Sequence, residues 1–245
     1  MPFTFSHPAI ILPLAYLPKR WFSLTGLIIG SLMPDFEYFL RMKIRSDFSH
    51  TFEGVFLFDL PLGIVTAFVF HNIVRNNLFD NLPYILKSRV VIFKNFNWNT
   101  YFKKNWLVVI FSVIIGTFSH ILWDSFTHDT GYFVQKFEVL NQSVELFDKQ
   151  IPILKILQHL STFIGAFIIG FSLYKLPTHA ADSKSINLNY WLTFFGLIVV
   201  FAFIFLTVKS AQYAIGNLIV SIISLSMLAL ILTSLVIKTK PKTLD

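Results

Sequence analysis

The chain of 245 residues contains no cysteine. That absence excludes disulfides and thiolate metal ligands, so a metal bound here is held by nitrogen and oxygen donors. Charge is also scarce. Asp, Glu, Lys and Arg together make up 13% of the residues, about half the share with which a soluble domain covers its surface. An outer surface this poor in charge faces something other than water, and lipid is the obvious candidate. The basic residues form no stripe, which argues against nucleic acid as a partner. There is no internal repeat and no low-complexity segment, and the chain reads as a single domain over 1–245. Its opening, MPFTFSHPAIILPLAYLPKRW, lacks the basic start of a secretory signal, because Lys19 and Arg20 follow the apolar stretch rather than precede it.

Apolar residues are what the chain has in excess: 55% are hydrophobic, 29 are Phe, and the mean hydropathy is +0.66. A helix of about 20 apolar residues crosses the ~30 Å hydrocarbon core of a bilayer. Five stretches qualify, at roughly 52–74, 106–126, 151–174, 190–208 and 213–237. The last two have no charge inside them and read as plain lipid-facing spans. The first three carry Glu53, Asp59, Asp124, Lys155 and several histidines. Polar residues within spans face a bundle interior and mark a site. Residues 21–40 are apolar up to Pro34-Asp35 and are expected to form a further span. Residues 7–17 are too short to cross and are expected to be re-entrant or interfacial, with Ser6 as N-cap and Pro8 in the first turn. The predicted fold is all-α: a polytopic membrane helical bundle of about six spans plus a short N-terminal re-entrant or interfacial helix. Residues 1–175 carry the polar site, and 190–237 supply two plain transmembrane helices.

Lys and Arg set the expected orientation. Arg75, Lys87, Arg89, Lys94, Lys103 and Lys104 lie in the 75–105 loop. Lys19, Arg20, Lys175, Lys184, Lys238, Lys240 and Lys242 fall on the same side, and the opposite side carries fewer. The heavier side, with the C-terminus, is expected to be cytoplasmic, in a bacterial inner (plasma) membrane. Asp35 then ends its span at the outer face, and His50 opens the next span there. His120, Asp124 and His128 lie in the outer third of the 106–126 span or just beyond it. His159 lies about 12 Å below the outer start of 151–174. If the N-terminal segment dips in and returns, His7 reaches the same level. His71, about 30 Å along the helix from His50, and His179, in a loop, do not.

The strongest motif is GTFSHILWDSFTHDTG. His120, Asp124 and His128 stand at i, i+4 and i+8, and each step turns the helix by only about 40°, so they share a face. Two ligands at i, i+4 can hold one metal, as in H-E-x-x-H enzymes. Imidazole and carboxylate donors suit Zn²⁺, and also Mn²⁺ or Fe²⁺. The plainer alternative is a hydrogen-bonded His–Asp pair that locks helices together. SLMPDFEYF presents Asp35 after Pro34 with Glu37 close behind, and SDFSHTFEG offers His50 with Glu53 one turn on. Each alone reads as a helix-terminus or interfacial group; their common depth is what points to a metal site. His159, in LQHLSTF, is either a ligand or a core histidine. Asp59, just before Pro61, is either functional or a partner for backbone freed by the proline.

Taken together, MPFTFSHPAIILPL, SLMPDFEYFLR, SHTFEGVFLFDLPLG, GTFSHILWDSFTHDTGYF and LQHLSTFIG resemble a bacterial multi-pass membrane family, domain-of-unknown-function family 4184, over residues 1 to about 175. More distantly, the Pro-Asp, the Ser-His and the H-x-x-x-D followed by Thr resemble bacterial membrane-bound metal-dependent hydrolases. Those in turn are similar to zinc-dependent phospholipase C and the single-strand nucleases of that helical fold. The resemblance implies one to three zinc ions. Asp35, His50, His120 and Asp124 would hold the central metal, and His7, His128 and His159 the flanking ones. Asp35 and Asp124 would be the catalytic carboxylates, supported by Glu37, Glu53 and Thr127. One departure stands out: the soluble enzymes carry a His and a Glu one turn apart on a later helix, whereas here His159 is followed by Phe163.

Two functions follow as expectations. The first is a membrane-embedded metal-dependent hydrolase of a phosphoester or lipid-type substrate at the outer interface, where clustered metals activate a water. The second is a non-enzymatic membrane protein, a metal carrier or structural partner. Ion-coupled transport places its polar groups near the midplane, whereas most of these lie toward one face.

Overall fold

The computed structural model describes residues 3–18, 20–146, 148–181, 186–208 and 214–237. Of the basic residues that set the expected orientation, Lys19, Lys184, Lys238, Lys240 and Lys242 lie outside them. Helix dominates. Among the described residues, β structure is confined to one antiparallel hairpin, β1 (Ser143–Leu146) and β2 (Lys149–Pro152), with Ser143 opposite Pro152. The short N-terminal helix α1 (Pro8–Ile11) is followed by α2 (Leu24–Gly30) and α3 (Phe36–Arg41). Among the described residues, five helices are long and apolar enough to cross a membrane: α4 (Phe52–Asn81), α5 (Trp98–Asp124), α6 (Ile153–Lys175), α7 (Leu188–Val208) and α8 (Ile215–Val236). This is an all-α membrane bundle.

Helix ends differ from the sequence expectation where capping outweighs hydropathy. Asn97 starts α5 early: its Oδ1 accepts from Thr100 N at 3.0 Å, and non-helical dihedrals at Asn105 then kink the helix. α4 runs on to Asn81, and Leu82, held extended before Pro83, stops it. Within α4 the turn over Val55–Asp59 widens to a π-helix that ends two residues before Pro61, which lacks the N–H needed for an ordinary i→i−4 bond. The expected span over 21–40 is instead three short pieces: α2, a 3-10 turn over Met33–Asp35 and α3. Pro34 inside the turn removes a donor that a continuous helix would use.

The elements form two compact units. The first comprises Met1–Phe36, Asp47–Ile64 and Asn105–Ser172. In it α2 and α5 meet backbone to backbone. A Cβ on Gly30 would sit 2.1 Å from Val113 O, and one on Gly116 would sit 2.3 Å from Leu27 O. Small residues at such a crossing let two helices approach more closely than side chains allow. Thr117 Oγ1 uses the proximity to donate to Gly30 O at 3.2 Å.

The second unit comprises Glu37–Ser46, Val65–Lys104 and Leu173–Asp245. Here α8 hydrogen-bonds to α3 and to the last turns of α4: Ser224 Oγ donates to Phe39 O at 2.6 Å, and Asn77 Nδ2 donates to Ser234 O at 2.7 Å. Buried Arg75 donates to the carbonyls of Phe96 and Lys94 at 2.7 and 3.2 Å. The apolar exterior is extensive. Phe163 and Phe167 of the first unit are 73% and 70% exposed, and Phe203 of the second is 69% exposed. Only 6% of the most apolar window of α7 is buried in protein. Helices this apolar and this uncovered are solvated by lipid.

Candidate metal centre

The close contact of α2 with α5 sets the first ligand. It brings Ser31 O to 2.8 Å from His120 Nδ1. A carbonyl only accepts, so Nδ1 carries the proton and the lone pair sits on Nε2. That atom faces Asp124 Oδ2 at 3.3 Å and Asp35 Oδ1 at 3.6 Å. His120 and Asp35 are fully buried.

His50 is fixed by its neighbour. Ser49 Oγ donates to Pro34 O at 2.6 Å and lies 3.1 Å from His50 Nδ1. Its single proton is committed to the carbonyl, so it accepts from Nδ1–H, and Nε2 is again the bare nitrogen. That atom faces Asp124 Oδ2 at 3.6 Å and Asp35 Oδ1 at 3.8 Å. Thr51 caps α4 by accepting from Gly54 N at 3.0 Å, so the helix starts directly after the ligand. Asp35 turns Oδ1 to both imidazoles because Thr4 Oγ1 donates to Oδ2 at 2.5 Å. One ligand atom from each of Asp35, His50, His120 and Asp124 lies within 4.8 Å of all the others. Zinc bonds of about 2.0–2.2 Å place ligand atoms roughly 3–4 Å apart, so the cluster is close to a coordination sphere.

Asp124 also reaches the other way. Its Oδ1 is 3.6 Å from His7 Nε2 and 3.6 Å from His128 Nδ1. The His7 ring stacks on His120 at 3.7 Å between centroids. His128 Nδ1 donates to the backbone carbonyl of Asp124 at 3.1 Å. Burial pulls the His7 imidazole down to about 3, and the adjacent His120 adds to the effect. Burial lowers His128 as well.

A model of the family described as a domain of unknown function, DUF4184, matches residues 1–235. The chain belongs to that family. No curated protein and no solved structure matches this DUF4184 member.

The donor set can be tested against a cation by what it lacks. His120 Nε2, Asp35 Oδ1, both Asp124 carboxylate oxygens and both His7 ring nitrogens are buried without a hydrogen-bond partner among the described residues. Every ion-pair contact of Asp35 and Asp124 among the described residues is to an imidazole, never to Lys or Arg. Each buried orphan costs about 1–3 kcal/mol, and two buried carboxylates cost more. A divalent cation among Asp35, His50, His120 and Asp124 offsets the cost of the orphans turned toward it, so these residues fit a metal.

Other site residues of the DUF4184 member fall elsewhere. His159 is exposed on α6 beside buried Gln158, because a helical step of about 100° turns it off the inward face. Among the described residues it makes none of the cluster's ion pairs. Glu37 is buried but committed to Arg41, at 2.7 Å, and to Ser46 Oγ, at 3.0 Å. Glu53 is exposed in the first turn of α4. Thr127 is buried and its hydroxyl donates back to Trp123 O at 3.5 Å. Ser6 does not cap α1; its hydroxyl donates to Thr162 O at 3.0 Å. His71 pairs with Arg75 at 2.9 Å and stacks on Trp98 at 4.7 Å.

Thr4, Ser31 and Ser49 orient the ligands and were not singled out from sequence. A signal exists for Ser49. Phe-Ser-His occurs at 5–7, 48–50 and 118–120, and each of these three histidines turns Nε2 toward Asp124. In each case the serine hydroxyl donates to a backbone carbonyl: Thr162 O, Pro34 O and, at 2.6 Å, Gly116 O. The residue before each imidazole is thereby tied down.

Proposed function

We propose that this protein is a membrane-embedded, metal-dependent hydrolase of a phosphoester substrate. The observation that carries the reading is the convergence of Asp35, His50, His120 and Asp124 on one point, with buried atoms of Asp35, His120 and Asp124 that have no hydrogen-bond partner among the described residues. Zinc is the ion that best suits two imidazoles and two carboxylates without thiolate, and the carboxylate share keeps Mn²⁺ and Fe²⁺ open. His7 Nε2 borders a second position at Asp124 Oδ1, whereas His128 turns its protonated Nδ1 there, so the ion count is one or two.

A bound divalent ion supplies Lewis-acid polarisation of a phosphoryl oxygen and a water acidic enough to attack near neutral pH. The chain does the rest. Ser31 O and Ser49 Oγ hold the ligand imidazoles in one tautomer. Thr4 holds one oxygen of Asp35 and leaves the other as ligand or proton acceptor. Asp124 divides its two oxygens between the main position and the His7–His128 side. In this reading the cluster lies at the outer interface and the C-terminus is cytoplasmic.

The test is elemental analysis of purified protein, followed by hydrolysis of bis(p-nitrophenyl) phosphate with and without chelator. Near-stoichiometric metal, lost in His120→Ala, with chelator-sensitive turnover, supports the reading. Metal without turnover on any phosphoester points to the carrier role. Protein without metal sinks both.

A further inference from the structure

Beside the cluster lies an apolar groove of about 220 Å³. One wall is the inner edge of the N-terminal segment, Ser6 to Ile10; the other runs along α6 from Leu157 to Ile168, with Trp123 between. That stretch of α6 is three turns, about 16 Å. Three features say what fills it. Its rim residues Ile10, Leu160 and Ile164 are 44%, 51% and 49% exposed, on or against a helix apolar enough to cross a membrane, so the groove opens to hydrocarbon rather than water. Its size exceeds the roughly 150 Å³ that holds benzene and falls below the roughly 300–1,000 Å³ of sites for bulkier ligands. That suits one thin chain. Finally, His7 lines the groove and also faces Asp124 at 3.6 Å, so one side chain is shared by the apolar slot and the metal centre.

We propose that this groove is the berth for one hydrocarbon chain of a membrane lipid whose phosphoester is presented to the cluster across His7. The assignment of a substrate rests on the hydrolase reading; the chain site itself does not. The reaction it implies is balanced with water alone. The oxygen of water bonds to phosphorus, the ester P–O bond breaks, and the proton lost by water ends on the leaving alkoxide, giving an alcohol and a phosphomonoester. Lipid enters sideways between the N-terminal segment and α6, so the polar part never crosses the bilayer core.

The experiment uses full-length protein in phosphatidylethanolamine–phosphatidylglycerol vesicles doped with a phosphatidylglycerol carrying a diazirine on one acyl chain. After illumination, labelled residues are mapped. Label concentrated on Ile10, Leu157, Leu160, Ile164 and Ile168 is expected. Label spread evenly over Phe163, Phe167 and the rest of the exposed face of α6 overturns the proposal, and this wild-type pattern decides whether or not any variant folds. Ala9→Trp and Ile164→Trp fill the groove; Phe167→Trp, outside it, is the control. Filling is expected to lower groove labelling about tenfold, the loss of burying roughly two methylenes. Metal content and turnover of bis(p-nitrophenyl) phosphate should be unchanged, while lipid turnover falls. Groove labelling that survives both fillings also overturns the proposal. Concentrated labelling in a protein that holds no metal and turns nothing over would defeat the hydrolase reading alone.

Discussion

Replacing Ser49 with alanine removes one oxygen that serves two partners. Pro34 O loses the donor at 2.6 Å and His50 Nδ1–H loses the acceptor at 3.1 Å. Ser49 is fully buried. In metal-free protein the stranded groups should cost about 1–3 kcal/mol of stability, the usual penalty for a buried polar group left unsatisfied. The larger effect is expected on the metal. Without the hydroxyl, His50 can turn or take the other tautomer, and Nε2 no longer faces the two carboxylates as a fixed lone pair. Losing a partner that orients a ligand histidine lowers affinity about 10–100-fold, or roughly 1.4–2.7 kcal/mol. Competition against a chromophoric zinc chelator in detergent measures this directly, and Ser49→Thr, which keeps the oxygen, should stay near wild type. Unchanged affinity in Ser49→Ala, with clear loss in His50→Ala, would refute the tautomer argument. No loss in either would remove His50 from the ligand set.

Three further outcomes follow from the same geometry. Gly116→Ala places a Cβ 2.3 Å from Leu27 O, so α2 and α5 must part; a cost of about 1–3 kcal/mol in thermal unfolding is expected, with weakened metal binding as Ser31 O leaves His120. His71→Ala should leave bound metal at the wild-type level by elemental analysis, because its partners are Arg75 and Trp98; loss equal to that of His120→Ala would show that His71 serves the site. Asp129→Cys, at a carboxylate 72% exposed one residue beyond His128, should react with an impermeant thiol reagent in intact cells, since the chain has no other cysteine; labelling only after the membrane is opened would invert the proposed orientation.

Much was legible in the sequence because lipid simplifies the code. A low charge content and long apolar runs have one stable outcome in a bilayer, so the all-α class and the five long helices could be read directly. The i, i+4 spacing of His120 and Asp124 fixes their shared face whatever packs around them, and helical rise gave the common depth of Asp35 and His50. Position along a helix does not fix position around it, and that is where the sequence ran out. His159 was expected at the cluster's depth, and only the packed structure shows that it is exposed. The 21–40 run had the length of a span, but Pro34 and the contact through Gly30 and Gly116 broke it into short pieces whose carbonyls now orient the site. Thr4, Ser31 and Ser49 act through hydrogen bonds to residues 31, 89 and 15 positions away respectively. Such bonds exist only once tertiary packing has brought distant backbone within about 3 Å, so hydropathy and spacing alone could not assign these roles.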